Sequence, residues 1–100
     1  MKEIPKLPMT DLEEDILFLL TRQCGALSVI RMTDLLAKNS GMSIPLADIH
    51  RTLLQLERVN FIEVSLVKLK RHYRITKEGL EALQHDWNYH REHLHNHAEA

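Results

Sequence analysis

Residues 46–76 decide the fold, and they read LADIHRTLLQLERVNFIEVSLVKLKRHYRIT. The first part has apolar residues at spacings of 3, 4 and 3, which predicts a helix with one buried face. These residues are Leu46, Ile49, Leu53 and Leu56. Asn60 follows where a helix end favours a left-handed residue. Apolar and polar residues then alternate over 61–66, and a basic, turn-like stretch with Lys68 and Lys70 precedes a second short strand over 72–75. The stretch therefore predicts a helix followed by a β-hairpin.

Two helices are predicted before this stretch and one after it. Thr10 and Glu13 have the spacing of a capping box, so the first helix begins at Thr10. A second helix is predicted over 27–39, with three residues facing inward: Ile30, Leu35 and Leu36. The last helix begins after Thr76 and continues at least to Trp87. The predicted fold class is mainly α with a small β-hairpin, in the order α-α-α-β-β-α.

The composition is that of an ordinary globular domain. Of the 100 residues, 44% are hydrophobic and 27% are charged, with only 3 Gly and 3 Pro, which excludes a collagen-like or wholly disordered chain. We expect an extended arm over 1–9, one folded domain over 10–83 and a C-terminal extension over 84–100. The apolar run Ile16–Leu20 is too short to span a bilayer and follows acidic residues, which is unlike a secretory leader. We therefore expect a cytoplasmic protein with no membrane partner.

The charges are unevenly distributed, although the net charge of the whole chain is only −1. Residues 50–78 carry seven Lys or Arg and three Asp or Glu, a net charge of +4. Residues 1–49 carry a net charge of −2, and residues 79–100 a net charge of −3. A basic block between two acidic ends indicates a polyanionic partner for one face of the domain.

Two segments carry a resemblance to a known family. Ile49-His50-Arg51-Thr52-Leu53 and Asn60-Phe61-Ile62 resemble the recognition helix and first wing strand of PadR-like and, more distantly, MarR-like repressors. Residues 73–83, which read YRITKEGLEAL, are similar to the PadR segment in which the second wing strand enters the final helix. The tip over 67–71 departs from the pattern because it is short and has no glycine. His50 stands where the family has an aromatic residue, and Asn60 stands where it has glycine.

The resemblance implies a winged helix–turn–helix that binds double-stranded DNA as a homodimer and regulates transcription, as a repressor. Helix 45–59 would read the major groove, with Arg51 as the main base reader, because its guanidinium can donate twice to guanine. His50, Thr52 and Gln55 are secondary candidates. The wing over 66–74 would bind phosphates. The expected phosphate contacts are Lys68, Lys70 and Arg71, flanked by Arg58 and Lys77, with Arg31 of the second helix as a further candidate.

Two surfaces are candidates for the dimer interface. In the last helix, the spacing of a heptad seam is shown by Leu80, Leu83, Trp87, His90 and Leu94. The resemblance supports this helix, since PadR-like proteins dimerise through elements after the wing. In the first helix, Leu17 and Phe18 lie off the inward stripe and give a second apolar face. The alternative is that the last helix packs on its own domain and then frays.

No cofactor, metal site or enzymatic activity is predicted. The single cysteine, Cys24, is expected to be a small buried hydrophobe. Histidines crowd the C-terminal end, at positions 85, 90, 93, 95 and 97. Imidazoles at this spacing can chelate a metal or respond to pH near 6, but tail histidines are usually only solvated. The sequence has no phosphate-binding glycine loop and no catalytic motif. The alternative function is a winged-helix module that binds another protein and no DNA.

Overall fold

The computed structural model describes residues 9–23 and 25–87. Within them the chain forms α1 (Asp11–Arg22), β1 (Leu27–Ser28), α2 (Val29–Ser40), α3 (Leu46–Arg58), β2 (Ile62–Val67), β3 (Lys70–Ile75) and a last helix, α4, over 77–87. The predicted order α-α-α-β-β-α is confirmed, with one short strand added. The expectations for residues 1–8 of the arm, for Cys24 and for residues 88–100 lie outside the described residues.

The predicted start of α1 is confirmed atom by atom. The Thr10 hydroxyl accepts a hydrogen bond from the Glu13 backbone amide at 3.2 Å, and the Glu13 carboxylate accepts one from the Thr10 amide at 2.9 Å. This capping box satisfies two amide groups that have no partner inside the helix. α1 then buries Ile16, Leu17, Leu19 and Leu20.

The start of the second helix was predicted wrongly. Leu27 and Ser28 form β1, which pairs antiparallel with Tyr73 and His72 of β3, and the helix begins only at Val29. The Ser28 hydroxyl caps α2 by accepting from the Arg31 amide at 3.2 Å. Ile30, predicted to face inward, is 77% exposed. It lies two residues before the buried Met32, about 200° away around the helix.

The sheet has the order β1-β3-β2, so β3 is its central strand. Tyr73 lies in the middle of β3, opposite Leu27 on one side and Val64 on the other, and is buried. The helices cover this face and form one core with it. The fully buried hydrophobic side chains at its centre are Ile16, Leu17, Met32, Ile49, Leu56 and Ile62.

The buried face of α3 is the predicted one except at its first residue. Ile49, Leu53 and Leu56 are buried, but Leu46 is 52% exposed. Leu46 is the first residue of the helix, so the apolar repeat extends one turn beyond the part of α3 that packs on the core.

The base of the β2–β3 hairpin is joined tightly to α4. The Thr76 hydroxyl donates to the Asn60 carbonyl at 2.7 Å and accepts from the Gly79 amide at 3.0 Å. Asn60 has φ 64°, the predicted left-handed conformation. A Cβ atom at Gly79 would overlap the Phe61 carbonyl oxygen, which itself accepts from the Thr76 amide at 3.0 Å. Glycine is therefore required where α4 passes this backbone.

A carboxyl pair that the sequence did not predict connects α4 to α1. Asp86 is fully buried, and its Oδ1 accepts from the Met9 amide at 2.9 Å. The Glu14 carboxyl hydrogen-bonds to the Asp86 carboxyl, which raises the pKa of Glu14 to about 7, with further contributions from partial burial and the negative charges of Asp15 and Asp11. A protonated Glu14 can therefore donate to the carboxyl group of Asp86.

The helices within 9–23 and 25–87 include none that is long and apolar enough to cross a membrane.

Candidate nucleic-acid interface

The outer face of α3 carries most of the side chains that were predicted to read DNA. His50, Arg51, Gln55 and Arg58 are exposed. Leu54 lies among them and is 59% exposed, although no role was predicted for it. Leu54 directly follows the inward-facing Leu53, and this position in the helix could have predicted that its side chain faces outward. The face therefore combines donors with an apolar side chain suited to a thymine methyl group.

Arg51 is the most available donor on this face. Its side chain is 79% exposed, and its guanidinium lies 3.7 Å from the carboxylate of Asp48, one turn earlier in α3. An exposed ion pair of this kind contributes about 0–1 kcal/mol to stability, so it favours one orientation of the Arg51 side chain only weakly. The guanidinium can exchange this partner for a base edge or a phosphate at little cost.

Thr52 is less suited to the role predicted for it. Its side chain is half-buried, and its hydroxyl donates to the Asp48 carbonyl in the preceding turn at 2.8 Å. A base contact through the same hydrogen would have to break this bond. Thr52 therefore has only its acceptor lone pairs to offer.

The β2–β3 hairpin ends in a two-residue turn. Val67 pairs with Lys70, and the turn residues Lys68 and Leu69 have φ values of 53° and 68°. Positive φ at both central residues is the feature of a type I′ turn, which matches the twist of the strands. Lys68, Lys70 and Arg71 are all exposed. A hydrogen bond to the Tyr73 side chain raises the already high pKa of Arg71, so its positive charge is permanent.

The helix face and the hairpin form one surface. A shallow hollow between them is lined by Leu54, Glu57, Arg58 and Arg71. A second hollow continues along α3 to the start of α1, lined by Thr10, Glu13, Arg51, Thr52, Leu54, Gln55 and Arg58. Leu54 and Arg58 belong to both hollows. Two predicted groups of residues, from the helix and from the hairpin, are thus brought together.

Solved structures of the same shape are known. RosR from H. salinarum superimposes with a TM-score of 0.73 at 23% identity, over 83% of this chain and 74% of RosR. A PadR-like transcriptional regulator from Bacillus cereus gives 0.69 at 23% identity, over 89% of this chain and 92% of the regulator. A transcriptional regulator from Clostridium thermocellum superimposes with a TM-score of 0.69 at 18% identity, over 85% of this chain and 87% of the regulator.

The fold is a winged helix. The similarity to PadR-like proteins predicted from the motifs is confirmed at the level of this fold, with the β2–β3 hairpin as the wing and α2–α3 as the helix–turn–helix. No protein-family model matches the sequence, and no curated protein matches it.

Two predicted cations, Lys77 and Arg31, line neither of the two hollows. Lys77 begins α4 at the base of the wing, seven positions after Lys70 at the tip. This corresponds to roughly 20 Å along extended chain. Arg31 lies in the first turn of α2, exposed and 3.8 Å from the carboxylate of Asp34.

The winged helix divides the predicted dimer residues into two groups. Leu17 is fully buried and Leu83 is 3% exposed, so both belong to the core of their own domain and offer no surface to a partner. Phe18, Leu80 and Trp87 are 37%, 49% and 41% exposed. The rings of Phe18 and Trp87 pack with their centroids 5.2 Å apart, and the Arg22 guanidinium lies 5.6 Å from the Phe18 ring centroid. His90 and Leu94 lie outside the described residues.

Within the described part of the winged helix, no group of three or more His, Cys, Asp or Glu is placed to hold a metal ion. His85 is exposed on α4. The other histidines of the C-terminal end lie outside the described residues.

Proposed function

We propose that the protein is a transcriptional repressor that binds double-stranded DNA sequence-specifically as a homodimer. The helix over 45–59 enters the major groove, and the wing over 66–74 contacts phosphates. The dimer occupies a two-fold operator in the cytoplasm and excludes polymerase from it. Two recognition helices reading such an operator lie about one helical turn of DNA apart, roughly 34 Å.

The observation that carries this proposal is the continuity of the basic surface. Arg51 and Arg58 on α3 and Arg71 on the wing line adjoining hollows, and Lys68 and Lys70 extend the surface to the wing tip. A helix of exposed donors is the shape that fits a major groove, and cations beside it meet the phosphates that border the groove.

The roles within this surface follow from position and chemistry. Arg51 has the exposed planar fork that binds guanine in two places, with His50 and Gln55 beside it on α3. Arg58 and Arg71 flank Leu54, where the helix meets the wing, and are placed for the phosphates of one groove edge. Thr52 acts as an acceptor, since its hydroxyl hydrogen is engaged.

The dimer half of the proposal rests on α1 and α4. Leu80 and Trp87 are seven residues apart on α4 and share one face, and Phe18 of α1 packs beside Trp87. Trp87 is the last described residue of α4, and Leu80 lies two turns before it. A second copy that covers this surface would remove it from water.

The functional test compares three variants by fluorescence anisotropy with duplex DNA. We expect Arg51→Ala to weaken binding by about 10-fold, within the range of one base-reading Arg. We expect Lys68→Ala/Lys70→Ala to reduce the salt slope by about 4, because the dimer loses four phosphate contacts, two on each protomer. Lys38→Ala is the matched control, since Lys38 is an exposed cation in the last turn of α2 and should leave binding unchanged.

The proposal fails if neither Arg51→Ala nor the double lysine variant binds more weakly than Lys38→Ala. The solution mass, measured in the same samples, should be twice the 11.7 kDa of the chain. A monomer mass contradicts the dimer. A folded protein that binds no duplex is instead a winged-helix module for another protein.

A further inference from the structure

The last described turn of α4 is joined to α1 by a pair of carboxyl groups. Asp86 is fully buried, and its Oδ1 accepts a hydrogen bond from the Met9 amide at 2.9 Å. The Glu14 carboxyl of α1 hydrogen-bonds to the Asp86 carboxyl. Two carboxyl groups in such contact repel each other when both are ionised. The contact between the two helices is therefore favourable only while the pair retains a proton.

The carboxyl pair lies directly beside the apolar surface that we propose for the dimer. Trp87 follows Asp86 in α4, and Phe18 lies one turn after Glu14 in α1. The Phe18 and Trp87 rings pack with their centroids 5.2 Å apart, so a polar and an aromatic contact join the same turns of the two helices. Because neighbouring residues of one helix move together, separation of Asp86 from Glu14 also separates Trp87 from Phe18.

The main influences on the Glu14 carboxyl all oppose its ionisation. The hydrogen bond to Asp86, partial burial and the negative charges of Asp86, Asp15 and Asp11 raise its pKa to about 7. Because the pKa of Glu14 is raised in the folded protein, proton binding favours the contact between α1 and α4. The contact is strongest below about pH 4.5 and weakens as the pH rises through about 7.

Two basic residues lie on the same two helices. Arg22 is two turns beyond Glu14 in α1, and its guanidinium lies 5.6 Å from the Phe18 ring centroid. His85 precedes Asp86 in α4 and is exposed. Histidine titrates near neutral pH, so an experiment on the carboxyl pair has to leave His85 in place.

We propose that the Glu14–Asp86 pair is a proton-dependent switch that holds the Trp87 end of α4 on α1 when it is protonated and releases it when it is not, so that the protein dimerises more tightly at lower pH. This inference rests on the proposed function, since it adds regulation by pH to the proposed dimer. When the pair loses its proton to water, two carboxylates face each other and repel. The surface formed by Phe18 and Trp87 is then no longer assembled for a second copy of the chain.

The single tryptophan of the chain makes this contact measurable in solution. Trp87 is that tryptophan, so the wavelength of the emission maximum reports whether its ring packs on Phe18 or faces water. We expect the maximum to move to longer wavelength between pH 6 and pH 8, also in samples dilute enough to be monomeric, because the switch lies within one chain. The dissociation constant of the dimer, measured by analytical ultracentrifugation in the same buffers, should rise by about 10-fold.

Two conservative variants, one on each helix, remove the titration and keep a hydrogen bond. In Glu14→Gln the new amide can donate to the Asp86 carboxyl. In Asp86→Asn the new amide can donate to the Glu14 carboxylate while its oxygen still accepts from Met9. Both variants should lose the shift in Trp87 emission and should dimerise equally well at pH 6 and pH 8. Glu81→Gln, an exposed carboxyl change on α4, is the matched control and should respond to pH as wild type does.

The inference is overturned if the wild-type dimer has the same dissociation constant at pH 6 and pH 8. It is also overturned if Glu14→Gln and Asp86→Asn keep the full pH dependence of wild type, because other titratable groups then cause it. In either case a wild-type dimer that binds duplex DNA leaves the proposed function intact. A wild-type protein that is monomeric at both pH values contradicts the dimer of the proposed function, and the switch with it.

Discussion

The base and the tip of the β2–β3 hairpin are built in opposite ways. At the base, Thr76 donates to Asn60 and caps α4, and Gly79 fits against the Phe61 carbonyl. At the tip, Lys68 and Leu69 are exposed and have positive φ. Packing and hydrogen bonds account for Asn60, Phe61, Thr76 and Gly79 at the base, and for neither residue of the tip. A sequence motif can therefore identify a fold because its residues are needed for packing. The residues that bind a partner can lie elsewhere, at exposed positions that the packing of the fold does not fix.

This contrast also explains what the Thr76-Lys77-Glu78-Gly79 segment does. The segment is part of the family resemblance, yet two of its residues, Thr76 and Gly79, serve the joint between hairpin and helix. The Thr76 hydroxyl hydrogen-bonds on both sides of that joint, to Asn60 before the hairpin and to Gly79 in α4. Gly79 allows the backbone of α4 to approach the backbone of Phe61 closely. The segment therefore identifies the fold and says little about the bases that are read.

The largest expected effect is at the base. Gly79→Ala should lower the free energy of unfolding by about 3 kcal/mol, because the new Cβ overlaps the Phe61 carbonyl and approaches Ile75 Cγ1 to 2.9 Å. In an unhindered helix the same change would stabilise. Urea unfolding measures the difference, with Glu81→Ala on the exposed side of α4 as the control. A variant as stable as wild type would show that the joint is not close-packed.

A smaller effect is expected where α4 meets α1. The pKa of Glu14 is raised to about 7, so its protonated form is favoured in the folded state. The stability from this pair is present at low pH and is lost as pH rises from about 4.5 to about 7. Glu14→Gln keeps a donor to Asp86 without a titrating group. Solvent screening reduces the effect, so we expect the variant to be about 1 kcal/mol more stable than wild type at pH 8.

The measurement is the difference in unfolding free energy between Glu14→Gln and wild type across this pH range, because every other titratable group is present in both proteins. Glu81→Gln, an exposed carboxyl change on α4, should track wild type at every pH. A difference that stays constant with pH would mean that Glu14 and Asp86 do not share a proton.

The smallest expected effect is at the tip, and it has the opposite sign from that at the base. Lys68→Asn should raise the free energy of unfolding by about 0.5 kcal/mol, because Asn adopts positive φ more easily than Lys. It should also weaken duplex binding and reduce the salt slope by about 2, because each protomer of the dimer loses one phosphate contact. Stability gained together with affinity lost is the signature of a residue kept for binding. If Lys68→Asn is instead less stable than wild type, the native residue at the tip contributes to stability, as the residues of the base do.

The sequence predicted the elements whose causes are local. The Thr10–Glu13 capping box, the left-handed Asn60 and the alternation after Phe61 each depend on neighbours within a few residues, and all three are confirmed. The buried face of α3 was also predicted, because helical spacing places its apolar residues on one side.

The sequence did not predict features that depend on distant partners. Leu27 and Ser28 form a strand only because β3 passes beside them, and their spacing also fits the helix that follows. The burial of Asp86 depends on Met9 and Glu14, 77 and 72 positions earlier, and no local pattern marks it. Leu17 was assigned to a second apolar face, but the domain encloses it.

The sequence predicted which residues of the candidate site are exposed better than it predicted how they are arranged in space. Of the nine residues proposed to contact DNA, eight are exposed and Thr52 is half-buried. The sequence could not show that Arg58 and Arg71 line one hollow, that Lys77 lies at the far end of the wing, or that Leu54 is exposed among the donors. These are consequences of how the hairpin folds back beside α3.

The most direct test of the central claim is a titration of generic duplex DNA with the wild-type protein at several salt concentrations, with the solution mass measured alongside. If each protomer of a dimer places Arg58, Lys68, Lys70 and Arg71 on phosphates, the logarithm of the binding constant should fall with the logarithm of salt at a slope of about −7. A dimer with this dependence is the predicted result. A folded protein that binds no duplex at low salt, or binds with a slope near zero, would contradict the account.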